Sequence, residues 1–550
     1  MKILGFQSGH DVSYCILEDG IPIIHEELER FIREKEPLGD GLEMALQRIP
    51  DSQLNEMKYF ANGCPRARKT YPDKLAKKEP DDKMNSLVKD NDGKYFVVGH
   101  HQSHAANAFF SSNYDEALII TIDGSGTEKV DYMDIEKEFG ETKTFSSAFT
   151  FWEGKGLDIK PIERIPMETL TIGSPWRIYT GKIFGLSNGH PHGLAAGSVM
   201  AMAAPGDSDK YWKDFYDAFM AGGGGPSAAT HTNVEKYKPI AEKSEQDAFD
   251  VAAGLQRATE VVCREVMTPI VEKYNSKHIC MSGGVVLNSV MVGKMYEWFP
   301  NVEQIYICPV PYDGGLAIGA PQFIYHQIFR NPRIKWKDNS TAYLGTSYDK
   351  SDINDAIKDN EDDVVVKKIS DDGVVDLLIE QNIISVFGGG SESGRRALGN
   401  RSILCDPRSP DMKDLINEKV KHRQWFRPFA PSILRESVKD WFDRDVDSPY
   451  MTTVLDWKEE LKDKVSAVVH LNGTARLQTV TKNDNKWYYN FIKKFEEKTG
   501  VPIVLNTSFN DREPIVETPE HAINCFLGTE IDYLYFYDEG ILLESKKIQE

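Results

Sequence analysis

Short apolar runs separated by polar turns mark the start of the chain and predict strands. The runs at 2–6 and 12–17 predict two strands joined by a turn that carries His10 and Asp11. The charged segment 26–35 is expected to begin a helix. A long helical pattern of apolar positions covers 246–274. These elements predict a chain that mixes helices and strands.

Three further units combine an apolar strand with glycines, and two of them continue into a helix. They cover 119–127, 279–288 and 304–320. Repetition of strand, glycine turn and helix favours an α/β fold with loops suited to phosphate. A polar stretch around 335–346 predicts a boundary between domains at 1–340 and 346–550, beyond which charged helices alternate with short strands. No internal repeat is evident.

Length and charge narrow the class of protein. A chain of 550 residues exceeds a single core, and its formal charge of −20 argues against a broadly basic nucleic-acid surface. One local basic and aromatic cluster remains: Arg66, Arg68, Lys69, Tyr71, Lys74, Lys77 and Lys78. The early polar residues and the lack of a spanning apolar run predict no signal peptide and no membrane partner. Seven scattered cysteines without a Cys-x-x-Cys motif predict reduced thiols and a cytoplasmic location.

Four side chains could form one metal site. His100 and His104 stand four residues apart in a helix-forming run, so both imidazoles project from one helix face. Asp123 and Asp313 each follow a predicted strand and precede glycine. Two imidazoles with two carboxylates suit Fe(II), Mn(II) or Zn(II) better than Mg(II) or Ca(II). Ordinary helix-cap histidines and Asp-Gly turns remain the alternative.

Glycine-rich and arginine-rich loops could bind phosphate. Gly124, Ser125 and Gly126 are expected to form a turn, and Gly283 and Gly284 could wrap a nucleotide phosphate or ribose, or form a plain turn. In the C-terminal half, arginines lie among glycines and prolines at 388–404 and 421–431. Arginines on such loops can fork onto phosphate at little entropic cost. Surface salt bridges are the alternative, and few acids are interleaved to form them.

Strings along nearly the whole chain resemble, in order, those of the O-carbamoyltransferases that modify Nod factors, cephalosporins and aminoglycosides. The N-terminal strings are His-Asp at 10–11, Glu-x-x-Arg-Phe-x-x-x-Lys at 27–35, His-His-x-x-His at 100–104, Asp-Gly-Ser-Gly-Thr at 123–127, Ser-Gly-Gly-Val-x-Leu-Asn at 282–288 and Asp-Gly-Gly-x-Ala-x-Gly-Ala at 313–320. The C-terminal strings are Arg-Ala-Leu-Gly-Asn-Arg-Ser-Ile-Leu at 396–404, Trp-Phe-Arg-Pro-Phe-Ala-Pro at 425–431, Thr-Ala-Arg-x-Gln-Thr-Val at 474–480 and Leu-Asn-Thr-Ser-Phe-Asn at 505–510.

This resemblance implies an architecture and a two-step chemistry. The architecture is an actin-like N-terminal domain of the ASKHA class, related to threonylcarbamoyl-transfer enzymes, followed by an α+β YrdC-like domain. Carbamoyl phosphate and ATP, with Mg(II), would yield a carbamoyl adenylate in the second domain. A divalent metal in the first domain, Fe(II) before Mn(II) or Zn(II), would help position it for attack by an acceptor hydroxyl.

The resemblance also implies residue roles. His10 would be the acid/base group with Lys35 as its electrostatic partner, and His100, His104, Asp123 and Asp313 would be the metal ligands. Nucleotide or adenylate contacts would come from Gly124, Ser125, Gly126, Gly283, Gly284 and Asn288. Carbamoyl phosphate and ATP would be held by Arg396, Lys421, Arg423, Arg427, Arg476, Asn506 and Ser508. The chain departs from the family pattern at Ser198, where relatives usually carry lysine.

The acceptor stays open at this level. A hydroxymethylated pyrimidine in DNA and a hydroxyl of a small natural product are both consistent with the family, and the negative charge counts against DNA. A threonylcarbamoyl-type tRNA modification enzyme is the rival enzymatic interpretation, and an actin-like sensing protein the non-catalytic one. A homodimer is a possible assembly.

Overall fold

The computed structural model describes residues 1–63, 82–128, 132–134, 145–186, 195–223, 226–335 and 342–546. The chain divides into two compact units, which we call the first unit (1–29 and 36–336) and the second unit (30–35 and 337–550). Both mix helices with sheets, so the mixed α/β class expected from the sequence is confirmed. The basic and aromatic cluster at 66–78 lies outside the described residues.

Two sheets form the first unit. The first sheet has the order β3-β2-β1-β4-β5-β7 and contains β1 (Lys2–Gln7), β2 (Ser13–Glu18), β3 (Ile21–Glu27), β4 (Tyr59–Asn62), β5 (Lys94–Val98) and β7 (Tyr132–Asp134). The second has the order β11-β10-β6-β8-β9 and contains β6 (Glu116–Glu128), β8 (Phe145–Lys155), β9 (Asp158–Pro166), β10 (His278–Ser282) and β11 (Gln304–Ile307).

Five strands of each sheet repeat one topology, and the first sheet adds β7, which pairs antiparallel with β5. In each, the earliest strand, β1 or β6, lies centrally. On one side it pairs antiparallel with the next strand of the motif, which pairs antiparallel with a further strand. On the other side it pairs parallel with a later strand, which pairs parallel with a second later strand. The sequence shows no repeat that would predict this duplication of the sheet topology. Strand order is set by which faces can be buried, and very different sequences satisfy that requirement.

Helices occupy the connections of the first unit. They are α1 (Leu28–Ile32), α2 (Gly41–Arg48), α3 (Asp51–Leu54), α4 (Asp82–Asp90), α5 (His100–Phe110), α6 (Gly173–Lys182), α7 (Ala196–Met202), α8 (Trp212–Met220), α9 (Ala228–Ala241), α10 (Glu245–Tyr274), α11 (Ser289–Trp298) and α12 (Leu316–Phe323). The last three residues of the first of them, α1, belong to the second unit. All eleven residues of α5 are buried, and α5 packs closely on α12. A Cβ on Gly319 of α12 would lie 1.9 Å from the Ser103 carbonyl oxygen, so glycine permits this close crossing.

The second unit contains a nine-stranded mixed sheet of order β12-β20-β19-β13-β14-β18-β15-β17-β16. Its strands are β12 (Val364–Lys368), β13 (Ile384–Phe387), β14 (Arg401–Cys405), β15 (Ala430–Leu434), β16 (Thr453–Asp456), β17 (Thr474–Val480), β18 (Ile503–Ser508), β19 (Tyr533–Phe536) and β20 (Ile541–Ser545). Its helices are α13 (Lys350–Lys358), α14 (Asp371–Ile379), α15 (Met412–Lys419), α16 (Val438–Trp441), α17 (Lys486–Thr499) and α18 (Pro519–Leu527).

The segment 26–35 differs from the predicted charged helix. Glu26 and Glu27 are the last two residues of strand β3 and are not helical. Their carboxylates accept hydrogen bonds from the Tyr14 and Tyr312 hydroxyls, both at 2.7 Å, which hold the two residues in the strand. Only Leu28–Ile32 is helical. Residues 30–35 then belong to the second unit, where Arg30 donates to the Gly394 carbonyl at 2.7 Å. The long helix expected over 246–274 is confirmed as α10. No helix among the described residues combines the length and apolar character needed to cross a bilayer.

Candidate metal centre and anion site

Helix α5 presents the first two metal candidates. It begins at His100, directly after Gly99, and its 3.6-residue period places His104 one turn further on the same face. The two Nε2 atoms lie 3.2 Å apart, and both rings are buried. Two ring nitrogens this close, in the protein interior, need either a shared proton or a cation between them.

Asp123 reaches the same point through an irregularity in strand β6. The sequence predicted a glycine-rich turn at 123–127, and this is wrong, because β6 continues to Glu128. Its pairing with β8 breaks after Ile122 and resumes at Gly126, so residues 123–125 stand opposite a single residue. Such a bulge re-aims a side chain, and Asp123 Oδ2 lies 2.9 Å from His100 Nε2.

Gly126 permits the bulge to press against the histidine helix. A Cβ on Gly126 would lie 2.7 Å from Cδ2 of His100 and 2.5 Å from Cδ2 of His101. Real Cβ atoms do not approach other atoms so closely. The glycine at this position therefore serves close packing of the strand on the helix, a role that the predicted phosphate turn did not include.

Asp313 completes the group that we call the His/Asp cluster: His100, His104, Asp123 and Asp313. Asp313 begins a short 3-10 helix, Asp313–Gly315, on the connection between β11 and α12. Its Oδ1 lies 3.5 Å from His100 Nε2 and 3.6 Å from His104 Nε2. One donor atom from each of the four residues falls within 4.8 Å of all the others, and all four are buried.

The electrostatics of the His/Asp cluster favour charged carboxylates. Burial and the neighbouring Asp313 would raise the pKa of Asp123, but the His100 hydrogen bond and the charges of His100 and His104 lower it to about 2. Burial acts on Asp313 in the same way, and His100 and His10 beside it hold its pKa well below the usual range. Two ionised carboxylates and two imidazoles therefore face one small volume, which is the donor set of a transition-metal site.

Four of the six predicted nucleotide residues lie around this cluster with defined contacts. The Gly284 N–H donates to Asp123 Oδ1 at 2.9 Å, directly after Gly283, whose φ of 104° requires glycine. Gly124 accepts a hydrogen bond from Ser174 through its carbonyl at 2.9 Å, and Gly126 packs on the histidines. The fifth, Asn288, caps α11 through Met291 N–H and pairs with the Gln256 amide. Ser125 lies in the bulge.

His10 lies beside the His/Asp cluster, whereas Lys35 belongs to the second unit. His10 Nδ1 is 2.9 Å from Asp11 Oδ2, and its Nε2 is 3.3 Å from Asp313 Oδ2. Its side chain is 31% exposed, which leaves it accessible from outside. Lys35 is instead close enough to Lys421 to lower the pKa of that lysine. The predicted pairing of His10 with Lys35 stays a prediction.

Four half-buried arginines from three segments of the chain converge in the second unit, and we call them the arginine cluster. Its members are Arg396, Arg423, Arg427 and Arg476. Burial, and then the other three arginines, lower the pKa of Arg476. Burial and then Arg427 lower the pKa of Arg423. Arginine side chains stay protonated near neutral pH, so buried positive charges lie close together here, and an anion would offset both their lost solvation and their repulsion.

Arg476 has spare donor capacity. Its Nε is buried and has no hydrogen-bond partner among the described residues. Arg423 is more fully engaged, since its Nε donates to Asn417 Oδ1 at 2.7 Å and its guanidinium stacks 4.6 Å from the Phe429 ring. A buried guanidinium N–H that lacks a partner costs free energy until an acceptor arrives. The arginine cluster is therefore arranged as an anion site.

Lys421, Asn506 and Ser508 are already hydrogen-bonded within the second unit. The buried Lys421 ammonium donates to the Ser508 and Asn510 carbonyl oxygens and to Asn510 Oδ1. Burial, followed by Arg423, lowers the pKa of Lys421. Asn506 donates to Gln478 Oε1 at 2.9 Å, and Ser508 Oγ donates to Asn510 Oδ1 at 2.6 Å. These contacts hold the loop after β18, and the predicted phosphate roles of the three residues stay predictions.

The residues that fix the arginine-bearing loop were not predicted from the sequence. Glu392 Oε1 accepts the backbone N–H groups of Leu398, Asn400 and Arg401 at 2.8–3.1 Å. The fully buried Arg401 donates to the Gly388 carbonyl at 2.7 Å and stacks 3.6 Å from the Phe387 ring. An acid among glycines and arginines was the available signal. His470, which accepts the Arg476 backbone N–H at 3.4 Å, lies in none of the motifs.

Comparison with known proteins identifies related chains. Residues 67–321 match the family described as "Carbamoyltransferase N-terminus" and residues 375–542 the family described as "Carbamoyltransferase C-terminus". "Nodulation protein NolO" of Bradyrhizobium diazoefficiens is 31% identical over 80% of this chain and 77% of its own length. An uncharacterized protein of Synechocystis sp. is 33% identical over 79% of this chain and 74% of its own length.

Among solved structures, HypF from T. kodakarensis is similar at 13% identity and a TM-score of 0.33. The match covers 61% of this chain and 48% of that one. A likeness this weak supports no structural argument. The family assignment therefore rests on the two family matches and on the two relatives that are more than 30% identical.

Proposed function

The chain belongs to the carbamoyltransferase family, and from that premise we propose that it is an ATP-dependent O-carbamoyltransferase that works in two steps. The observation that carries the proposal is the presence of two buried polar clusters of opposite character, one in each compact unit. The His/Asp cluster suits a cation, and the arginine cluster suits phosphate groups. We further propose an actin-like first unit, supported by the five-strand topology that its two sheets share, and a YrdC-like second unit.

The proposed first step takes place at the arginine cluster. Carbamoyl phosphate reacts with water to give inorganic phosphate and carbamate. A carbamate oxygen then attacks the α-phosphorus of ATP, which forms carbamoyl adenylate and releases pyrophosphate. Both substrates are polyanions, and planar guanidinium groups can bind their oxygens in pairs. Arg476, with its partnerless buried Nε, is the member best placed to donate to a phosphate oxygen.

The His/Asp cluster fits a divalent metal by its chemistry. Its four donors are two imidazole nitrogens and two carboxylates, a set that suits Fe(II), with Mn(II) and Zn(II) next. When bound, such an ion would supply positive charge to polarise the carbamoyl group and to stabilise negative charge that develops on it. His100, His104, Asp123 and Asp313 would hold it.

His10 is proposed to accept the proton of the attacking hydroxyl. Its Nδ1–H is placed to donate to Asp11 Oδ2, which leaves Nε2 to receive the proton. Asp313 Oδ2, 3.3 Å from Nε2, would then stabilise the imidazolium. The acceptor oxygen forms a bond to the carbamoyl carbon as the bond from that carbon to AMP breaks.

The proposed acceptor class is a hydroxyl group, and a small-molecule hydroxyl is preferred over a hydroxymethylated base in DNA. The formal charge of −20 repels the phosphate backbone of DNA. Relatives that cover most of the chain carry the name of nodulation proteins, which does not point to DNA.

The test is release of pyrophosphate from ATP by the full chain, with and without carbamoyl phosphate, together with transfer of ¹⁴C from labelled carbamoyl phosphate. The acceptors are an oligosaccharide and a DNA carrying hydroxymethylcytosine. We expect pyrophosphate release to require carbamoyl phosphate and the label to enter the oligosaccharide. Release that requires threonine and bicarbonate would instead support the tRNA modification interpretation. Label found only in the DNA would show that the acceptor is a hydroxymethylated base and not a small-molecule hydroxyl.

A further inference from the structure

Ser282 ends strand β10 at a point where one hydroxyl touches two elements. It is fully buried, and its Oγ lies 3.0 Å from the Pro311 carbonyl oxygen and 3.1 Å from His104 Nδ1. Pro311 stands two residues before Asp313, on the connection from β11. One serine hydroxyl therefore links a member of the His/Asp cluster on α5 to the backbone next to another member.

The hydrogen-bond partners of Ser282 indicate a tautomer for His104. The Pro311 carbonyl oxygen can only accept, so we assign the single Ser282 hydroxyl proton to it. Ser282 Oγ must then accept the proton on His104 Nδ1. A neutral imidazole protonated at Nδ1 has its lone pair on Nε2. In His104 this nitrogen faces His100 Nε2 and Asp313 Oδ1.

The next turn of the chain orients a second ligand. Gly284 N–H donates to Asp123 Oδ1 at 2.9 Å, which leaves Oδ2 pointing at His100. A Cβ on Gly284 would lie 3.0 Å from that same Oδ1, so glycine permits the contact. The segment 282–284 thus contacts one histidine and one aspartate of the His/Asp cluster, each on a different element.

We propose that Ser282 is a positioning residue of the metal centre, which holds His104 in the tautomer able to bind the ion through Nε2. The inference rests on the proposed function, because it assumes that the His/Asp cluster binds a metal. Groups that donate to or accept from a metal-binding imidazole at its other nitrogen fix the ring and its proton, and their loss weakens metal affinity about 10- to 100-fold.

The test measures affinity for Fe(II) alone, by anaerobic equilibrium dialysis of the full chain with metal quantified by mass spectrometry. Ser282→Ala should weaken binding by about 10- to 100-fold, and His104→Ala should abolish it. Ser112→Ala is the matched control, because Ser112 is also a buried serine of the first unit but its hydroxyl donates to the Phe109 carbonyl, at 2.7 Å. Its affinity should equal that of the wild type.

A second variant keeps the test decisive if Ser282→Ala proves unstable by circular dichroism. Ser282→Cys keeps the side-chain shape with a weaker acceptor, and its affinity should fall between those of the wild type and Ser282→Ala. Wild-type affinity in a folded Ser282→Ala or Ser282→Cys protein would overturn the role of Ser282 while leaving the metal centre intact. A wild type that binds no Fe(II) would overturn the proposed centre as well.

Discussion

The His/Asp cluster of the first unit and the arginine cluster of the second unit differ in the sign of the charge that they bring together. In the first, two carboxylates lie within reach of two imidazoles, and the pKa of each aspartate is lowered. In the second, arginines lie beside other arginines, and the pKa values of Arg423 and Arg476 are lowered. One cluster is organised to receive a cation and the other to receive an anion.

The two clusters also differ in how they are built. The His/Asp cluster is anchored by regular structure, with its histidines on α5, Asp123 in strand β6 and a network of contacts to segment 282–284. The arginine cluster is largely carried by loops, which Glu392 and Lys421 fix through backbone atoms. A metal requires a tight, preorganised donor set, whereas long guanidinium side chains can adjust to substrates of different size.

The largest effect is expected from removing a member of the His/Asp cluster. Asp313→Ala should abolish Fe(II) binding and lower carbamoyl transfer at least about a hundredfold, because its carboxylate also faces His10. Pyrophosphate release should stay within about twofold of wild type. His231→Ala, an exposed histidine of the same unit, is the control. Equal loss of both steps would erase the proposed division between the two clusters.

Next in size is the loss of an arginine. Arg476→Ala should remove a charge-assisted contact of about 1.5–3 kcal/mol, so carbamoyl-phosphate-dependent pyrophosphate release should fall about 10- to 100-fold. Fe(II) content should not change. Arg408→Ala provides a matched control, since Arg408 already pairs with Asp406 at 2.6 Å. Near-wild-type release from Arg476→Ala would show that the cluster does not bind substrate phosphate.

Lys421 should behave differently from Arg476 although both are cationic. Lys421→Ala removes one donor from each of three oxygens, the Ser508 and Asn510 carbonyls and Asn510 Oδ1, at a cost of about 1–3 kcal/mol in the free energy of unfolding. Arg476→Ala should not lower that free energy, because it relieves repulsion. Urea denaturation of the full chain compares the two, with the half-exposed Lys419→Ala as control. An unchanged midpoint for Lys421→Ala would show that its ammonium does not stabilise the loop.

The last prediction concerns His470 and applies only at acid pH. Burial, followed by the charges of Arg476 and Lys413, lowers the pKa of His470 to about 3. The unfolded chain binds this proton below about pH 6.5, so stability is lost as pH falls from about 6.5 toward 3, by at most about 1.4 kcal/mol per pH unit. The protection of the β17 amides, corrected for the intrinsic exchange rate at each pH, should fall on acidification, and less so in His470→Gln. Equal pH dependence in both proteins would rule out this linkage.

Sequence alone predicted which residues form the His/Asp cluster better than it predicted the backbone and the contacts around them. Spacing placed His100 and His104 on one helix face, as the structure has them, because helix geometry is local. The turn predicted at Asp123 was wrong because the extension of β6 depends on pairing with a separate strand, β8, which the local residue pattern at 123–127 does not show. Likewise Ser282 contacts His104 across 178 residues, and no local pattern announces such a contact.

The second unit shows the same limit. Arg396, Arg423 and Arg427 could be identified from their glycine and proline neighbours and Arg476 only from the family resemblance, but their convergence depends on the sheet order around β13, β14 and β17. The transfer of residues 30–35 to this unit could not be predicted either, because it follows from the contacts of Arg30 with loop carbonyls of the second unit.

The most direct test of the division between the two clusters is removal and return of the metal in the wild-type chain. After anaerobic dialysis against a chelator, pyrophosphate release driven by carbamoyl phosphate and transfer of labelled carbamoyl to an acceptor are measured in one reaction, before and after Fe(II) is added back. We predict that release persists without the metal, that transfer is lost, and that Fe(II) restores transfer. Transfer that continues at the same rate in the metal-free protein, or release that disappears together with transfer, would contradict the account.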